Sequence, residues 1–425
     1  MDQECIRLAP PSGIDAIEGG GVTSAKGFRA SGIFAGFRKN RDRLDMALVV
    51  SDEPCAAAAM FTQNVFCSAP VIVSREHLDG VSYGKARAVL INSGNANAAT
   101  GDIGLANARE SARLAAEAIG CTEDEVLVAS TGVIGVHLPM EPFEAHIGNA
   151  VSALSVDGAH DAASAIMTTD TFAKEYAVSY TSKAEGFDGV RITVGGMVKG
   201  SGMIMPNMAT MLAVLTTDAP LAPETAHHAL KEAVSVSLNK VTVDSDTSTN
   251  DSCYLLASGK AAAPSDSIGA DSFAYREFVL ALTHVCTTLA REMACDGEGA
   301  TRLITVEVTG AKDDGDADTA ARAIANSPLV KTAIFGHDAN WGRIAMAIGK
   351  SGASFRQEDV SIDIMGLAVC RKGLTVEFDE DEALRRFENP EIAISVDLGA
   401  GTGSATIWTC DLTHDYVTIN GDYRT

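Results

Sequence analysis

Within the stretch KGSGMIMPNMATMLAVLTTDA, residues 199–219, Thr210 follows the small residue Ala209. A threonine hydroxyl in that position can attack the carbonyl just before it. The peptide bond becomes an ester, and water resolves the ester into two chains. The new N-terminal Thr210 then holds a hydroxyl and a free amine on one residue. An α-amine titrates at about 7.7–8.0, so it can serve as the local base near neutral pH. Gly200 and Gly202 permit backbone strain ahead of the bond. The same letters also fit a simpler structure, a buried strand TMLAVLTT entered through a polar turn, and composition alone favours that one.

Other chemistries are served less well. GKS at 349–351 invites a phosphate loop, but the glycine required five positions before Gly349 is replaced by Ile344. The segment reads instead as a helix end closed by Gly349. The nine histidines contain no HExxH or HxH pair, and His227 and His228 point to different faces of a helix, so no metal is expected. No GxSxG elbow is present, since GSGMI fails its spacing. A Ser-His-Asp triad assembled in space stays open.

Short strand patterns alternate with helical ones around these residues. ARAVLINSG (86–94) and EVLVASTG (125–132) read as strands ending in turns, and RITVGGMVKG (191–200) as a strand interrupted by glycines. GLANARESARLAAEAIG (104–120) spaces its apolar residues as a helix and closes on Gly120. Residues 222–238 and 273–293 read as helices, the first with Pro223 near its start. RLITVEVTG alternates as a strand, and the last third reads mostly as strand. Residues 260–271 and the acidic run DDGDAD (313–318) read as surface loops. The mixture predicts α/β or α+β layers rather than a doubly wound Rossmann sheet.

The 425 residues carry 33 Lys+Arg against 56 Asp+Glu, a net charge of −23. Such a balance repels nucleic acid and anionic membranes as main partners. No uninterrupted apolar run approaches a membrane span. The N-terminus lacks the pattern of a secretory signal. The nine scattered cysteines form no CxxC and suggest buried thiols in a reducing compartment, so a cytoplasmic location is expected.

Ordered blocks along nearly the whole chain closely resemble the signature of the ornithine acetyltransferase family, also called the glutamate N-acetyltransferase or ArgJ family. Besides residues 199–219 they are LINSGNANAATG (90–101), ASTGVIG (129–135), IMTTDT (166–171), VDSDTSTND (243–251), DGEGATR (296–302), FGHDANWGRI (335–344) and WTCDLTHDYVTINGDYRT (408–425). The resemblance implies the family's own α/β architecture of stacked sheets and helices, with a self-processing N-terminal nucleophile. It implies self-cleavage at Ala209–Thr210 into an α chain, 1–209, and a β chain, 210–425, which stay in one protomer within a larger oligomer.

The implied reaction moves an acetyl group from N2-acetylornithine to glutamate through an acetyl-Thr210 ester. The resemblance further implies that Thr131 and Gly132 form the oxyanion hole. Lys199 meets a substrate α-carboxylate, Glu298 a substrate ammonium, and Thr168 a further contact, with Thr169 the alternative by one register step. Asn420 and Thr425 contribute from the chain end, which then folds back over the site. Some members also accept acetyl-CoA as donor, and single and double activity both stay open. No other cofactor is implied. Gly421 stands where the family usually has a small residue such as alanine, Ala339 where it has proline, and Ser245 where glycine is common. Two rival readings remain: an N-terminal-threonine amide hydrolase or aminopeptidase with water as acceptor, and a ligand-binding protein without chemistry.

Overall fold

The computed structural model describes residues 6–205, 211–262 and 267–422. Ala209, Thr210 and Thr425 lie outside the described residues. Two sheets form the frame, one of nine strands and one of six among the described residues. In the larger sheet the path runs Ile14–Ala16, Lys174–Thr181, Arg191–Lys199, Leu212–Thr217, Ser252–Ala257, Met46–Phe61, Tyr83–Asn95 and Val126–Val133, and Phe28–Ile33 pairs beside Met46–Phe61. The mixed directions of these strands, parallel between some neighbours and antiparallel between others, rule out a Rossmann sheet. The stretches 1–209 and 210–425 are interleaved: the strands Leu212–Thr217 and Ser252–Ala257 lie between strands of the first stretch.

Strand Leu212–Thr217 shows why this region reads as a continuous apolar run. All its residues are buried. Ala213 and Leu215 pack into one core with the helices Pro223–Ser235 and Phe273–Cys295. Leu212 and Val214 pack into a second core on the opposite face. A strand buried on both faces has no polar side to alternate with. Helix Phe273–Cys295 is the one helix among the described residues apolar and long enough to cross a bilayer, and 78% of its apolar window is buried inside the protein. It is a core helix.

The smaller sheet runs Leu374–Thr375, Leu367–Arg371, Ser361–Ile364, Glu391–Asp397, Leu303–Ala311 and Gly403–Cys410. Its core is completed by Asp314–Ala325, Pro328–Phe335 and Trp341–Gly349. The last third is therefore not mostly strand. The acidic run at 313–318 is not a loop but a helix start: Asp313 accepts the Asp316 N–H at 2.9 Å as N-cap, and carboxylates suit the positive end of the helix dipole. The residues after Cys410 also turn helical, His414–Asp422, although Val417, Thr418 and Ile419 favour strands by type. The segment at 349–351 does follow a helix ending at Gly349. The eight described cysteines are free thiols.

The glycines of residues 191–200 do not interrupt their strand. Arg191–Lys199 is continuous, and a Cβ on Gly195 would lie 2.1 Å from the Gly21 carbonyl oxygen. Gly195 admits a crossing segment, and Gly196 makes room for the Leu215 and Leu289 side chains, so neither breaks the ladder. Gly195→Ala is expected to cost about 1–3 kcal/mol through overpacking. Gly148→Ala, in the exposed middle of helix Glu141–Ser152 with open space around its Cβ position, should instead raise the melting temperature. Thermal unfolding of the two variants beside the parent checks both signs.

Candidate active site

Strand register assembles the site. Lys199 closes its strand opposite Leu212 in an antiparallel ladder, and Leu212 is level with Ser252 in a parallel one. Lys199, Met211 and the loop ending at Asp251 thus meet at one end of the sheet. The Ser252 N–H donates to the Met211 carbonyl at 3.0 Å. Met211 is bonded to Thr210, so the residue after the proposed nucleophile is fixed in the ladder.

The loop 244–251 also grips the segment on the other side of 206–210. The Asp244 carboxylate accepts the N–H groups of Met203 at 2.7 Å and Ile204 at 2.8 Å. Thr247 Oγ1 donates to the Met205 carbonyl at 3.0 Å. Met203 and Ser245 adopt left-handed backbone, with φ of 55° and 66°. At position 245 a glycine would meet that conformation without a Cβ penalty.

A second corner comes from strand Val126–Val133, parallel to Tyr83–Asn95. It carries Thr131 and Gly132. Gly132 has φ 134°, and a Cβ there would lie 2.4 Å from the Gly94 carbonyl carbon, so no other residue fits. Asn250 ties this corner to the first one. Its Nδ2 donates to the carbonyls of Ser130 at 2.8 Å and Ala96 at 2.6 Å.

Thr131, Gly132, Thr168, Thr169, Lys199, Glu298 and Asn420 line one cleft, together with Met211 and Leu212. Lys199 ends its strand, and it and Glu298 are each only 8% exposed, so neither is solvated surface charge. Glu298 sits in the turn between helix Phe273–Cys295 and strand Leu303–Ala311. Its N–H donates to the Ser201 carbonyl at 3.1 Å, and its Oε2 accepts Asn420 Nδ2 at 2.6 Å. Helix His414–Asp422 brings Asn420 to the cleft. It also brings Tyr416, whose hydroxyl donates to Asp244 Oδ2 at 3.4 Å. Burial, with Asp244 and Glu298 nearby, pushes the Tyr416 hydroxyl above the usual tyrosine range.

Buried charge surrounds Lys199. Burial pushes its ammonium down, Asp170 and Glu298 pull it up, and Lys174 and Arg38 push it down, leaving it below the usual lysine value. Burial would raise the Asp170 carboxyl, but Lys174 and Lys199 outweigh it and hold it well below the carboxylate range. Asp170, Asp244, Asn250 and Tyr416 are polar residues of the site that sequence reasoning did not single out. All four lie inside motifs quoted above, but nothing in a motif tells a backbone anchor from a substrate contact. Among the described residues no cluster of three or more His, Cys, Asp or Glu could hold a metal ion.

The sequence profile of the ArgJ family matches residues 29–425. The chain belongs to the ArgJ family. It is 49% identical over 407 residues to the arginine biosynthesis bifunctional protein ArgJ of Symbiobacterium thermophilum, covering 96% of this chain and 99% of that one. The protein of the same name from Caldanaerobacter subterraneus subsp. tengcongensis is 48% identical over 410 residues, at 96% and 99% coverage. Among solved structures, an ArgJ chain from Bacillus halodurans is 42% identical, covers 49% of this chain and 97% of its own, and aligns with a TM-score of 0.47. An ornithine acetyltransferase chain from Mycobacterium tuberculosis, solved with ornithine, is 38% identical, covers 46% and 100%, and aligns with a TM-score of 0.41. The family match and the near-full-length relatives make the chain an enzyme of the ArgJ family.

In this ArgJ-family enzyme a Cβ on Gly202 would lie 2.4 Å from Glu298 Cδ. Gly202→Ala should therefore displace the Glu298 carboxylate and lower kcat/KM at least about tenfold, 1.4 kcal/mol of lost transition-state binding. Gly421 has open space at its Cβ position, so Gly421→Ala should leave kcat/KM unchanged. Steady-state kinetics on both variants read the contrast.

Proposed function

We propose that this enzyme cuts itself between Ala209 and Thr210 and then transfers acetyl groups from N2-acetylornithine to glutamate. The observation that carries this reading is the convergence of Thr131, Gly132, Thr168, Lys199, Glu298 and Asn420 on a cleft that Met211, the neighbour of Thr210, also lines. These positions are scattered over nearly three hundred residues of sequence. Membership of a family whose relatives are named for arginine biosynthesis supports it further.

In the uncut chain Thr210 Oγ attacks the Ala209 carbonyl carbon. The C–N bond breaks, the proton passes to the departing nitrogen, and water hydrolyses the ester. The freed α-amine of Thr210 is then the base for the hydroxyl beside it. Lys199 pairs with the substrate α-carboxylate and Glu298 with its ammonium, while Thr168, Asn420 and Thr425 complete the contacts. Thr210 Oγ attacks the acetyl carbonyl of N2-acetylornithine. Thr131 and Gly132 stabilise the oxyanion, a role worth about 2.7–4 kcal/mol per donor in comparable sites. The C–N bond of the amide breaks and ornithine leaves with the proton. The amine of glutamate attacks the acetyl-Thr210 ester, forming N-acetylglutamate and restoring the hydroxyl. The word bifunctional in the relatives' names favours a second donor for the same ester, and acetyl-CoA is the donor we assign.

Intact-mass measurement of the purified protein beside Thr210→Ala tests the first half. Two chains from the parent, the second beginning at Thr210, and one from the variant are expected. An uncut, active parent would sink the mechanism. Incubation with acetylornithine alone should add one acetyl group to the β chain, and glutamate should remove it. Release by water at the same rate without glutamate would instead indicate a hydrolase.

A further inference from the structure

Lys174 Nζ is shut off from solvent and shared by two carboxylates. It donates to Asp170 Oδ1 at 2.7 Å and to Asp296 Oδ2. The three side chains are 0%, 0% and 3% exposed, so none is solvated charge. Buried ions of this kind persist only when their remaining lone pairs are also satisfied. Here they are satisfied by the backbone of the cleft. Asp170 Oδ1 also accepts the Gly200 N–H at 2.8 Å, and Oδ2 accepts the Thr168 N–H at 2.9 Å. Asp296 accepts the Thr171 N–H at 3.0 Å, and its own carbonyl accepts Ser201 Oγ at 2.6 Å.

One carboxylate thus joins Thr168 to the residue after Lys199. It also faces Lys199 electrostatically. The charged groups around Lys199 are Asp170 from the loop before strand Lys174–Thr181, Lys174 from that strand, Arg38 from the loop before Met46–Phe61, and Glu298 from the turn after helix Phe273–Cys295. Of the two anions, Glu298 lines the cleft, is held by Asn420 and is assigned to a substrate ammonium. Asp170 is the fully buried one, with both carboxylate oxygens engaged by Lys174, Gly200 and Thr168.

We infer that Asp170 is a positioning residue of the acetyl-transfer site: it sets Lys199 in register with Thr168 and supplies the buried negative charge that lets Lys199 meet a substrate carboxylate as a cation. Lys174 and Asp296 hold Asp170 in place. This inference rests on the acetyl-transfer reading. Without the Asp170 charge, burial and the two cations drive Lys199 toward its neutral amine. A neutral amine cannot form the charge-assisted pair with a carboxylate. Both substrates carry an α-carboxylate, so both should suffer alike.

The test compares the parent with Asp170→Asn, which removes the charge, and Asp170→Glu, which keeps it on a longer side chain. KM for acetylornithine and for glutamate is measured against pH. In parallel, trace labelling with acetic anhydride without substrates reads the protonation of Lys199. Asp170→Asn should raise both KM values at least about tenfold near neutrality, with a smaller change in kcat. Its alkaline limb, where binding is lost, should move to lower pH, and Lys199 should label at lower pH. Asp170→Glu should leave the labelling curve near that of the parent, and it should raise both KM values because the longer side chain displaces the Thr168 and Gly200 contacts. Adding Lys199→Arg to Asp170→Asn should restore binding at alkaline pH, because guanidinium stays charged.

An unmoved limb and an unmoved labelling curve in Asp170→Asn, or an Asp170→Glu labelling curve displaced as far as that of Asp170→Asn, would overturn the inference. If Asp170→Asn does not accumulate as folded protein, Asp170→Glu decides it: KM values unchanged from the parent overturn it. Labelling needs no turnover, so it stands apart from the proposed reaction. Absence of glutamate-dependent turnover in the parent would reject that reaction and leave the labelling result intact.

Discussion

The register of three neighbouring strands governs the rest of this protein. Lys199, Leu212 and Ser252 are level with one another across two ladders, one antiparallel and one parallel. Moving any of the three strands by one residue would turn its side chains to the opposite face, because strand side chains alternate. The two cores on either side of Leu212–Thr217 resist that slip with every buried residue they hold. The cleft therefore inherits its precision from apolar packing several residues away. Its polar residues then make short-range adjustments, with Asn250 tying the Thr131–Gly132 corner to the sheet end and Asp244 anchoring the segment at 203–204.

Much of the buried polarity near the cleft serves backbone. Asp170, Asp244 and Asp296 each accept main-chain N–H groups near cleft-lining positions. A carboxylate with two oxygens can join segments remote in sequence where a turn or a ladder cannot reach. Asp296 and Thr171 are 125 residues apart, and one hydrogen bond makes them neighbours. Such joints suit an acidic chain, since each buried carboxylate removes one charge from a surface that already repels itself.

The sequence was most legible where period and punctuation agree. Helix Gly101–Ile119 ends on Gly120 in the left-handed conformation that its glycine announces. Strands Tyr83–Asn95 and Val126–Val133 follow their apolar runs. It was least legible where type and context conflict. Val417, Thr418 and Ile419 are strand-formers placed in a helix, and DDGDAD looks solvated until Asp313 is seen to cap. Gly195 and Gly196 look like breaks because a sequence does not show the segment at Gly21 that passes over the first or the Leu215 and Leu289 side chains packed against the second. Within the cleft, motif resemblance named residues that the fold does bring together. The Asp170–Lys174 pair escaped, because an i,i+4 acid and base spanning a loop and a strand start carry no periodic signal.

The interleaving of the two stretches in the larger sheet has a consequence for how such a protein ages. Strands Leu212–Thr217 and Ser252–Ala257 are flanked on one side by Arg191–Lys199 and on the other by Met46–Phe61. The proposed cut before Met211 would change none of those ladders, so the same strand pairings would hold the two pieces together. The memory of how they came together would be lost, however. Refolding would become a meeting of two molecules, dependent on their concentration, where first folding is a rearrangement within one. A cut protomer would then persist by the height of its unfolding barrier rather than by an equilibrium it can revisit.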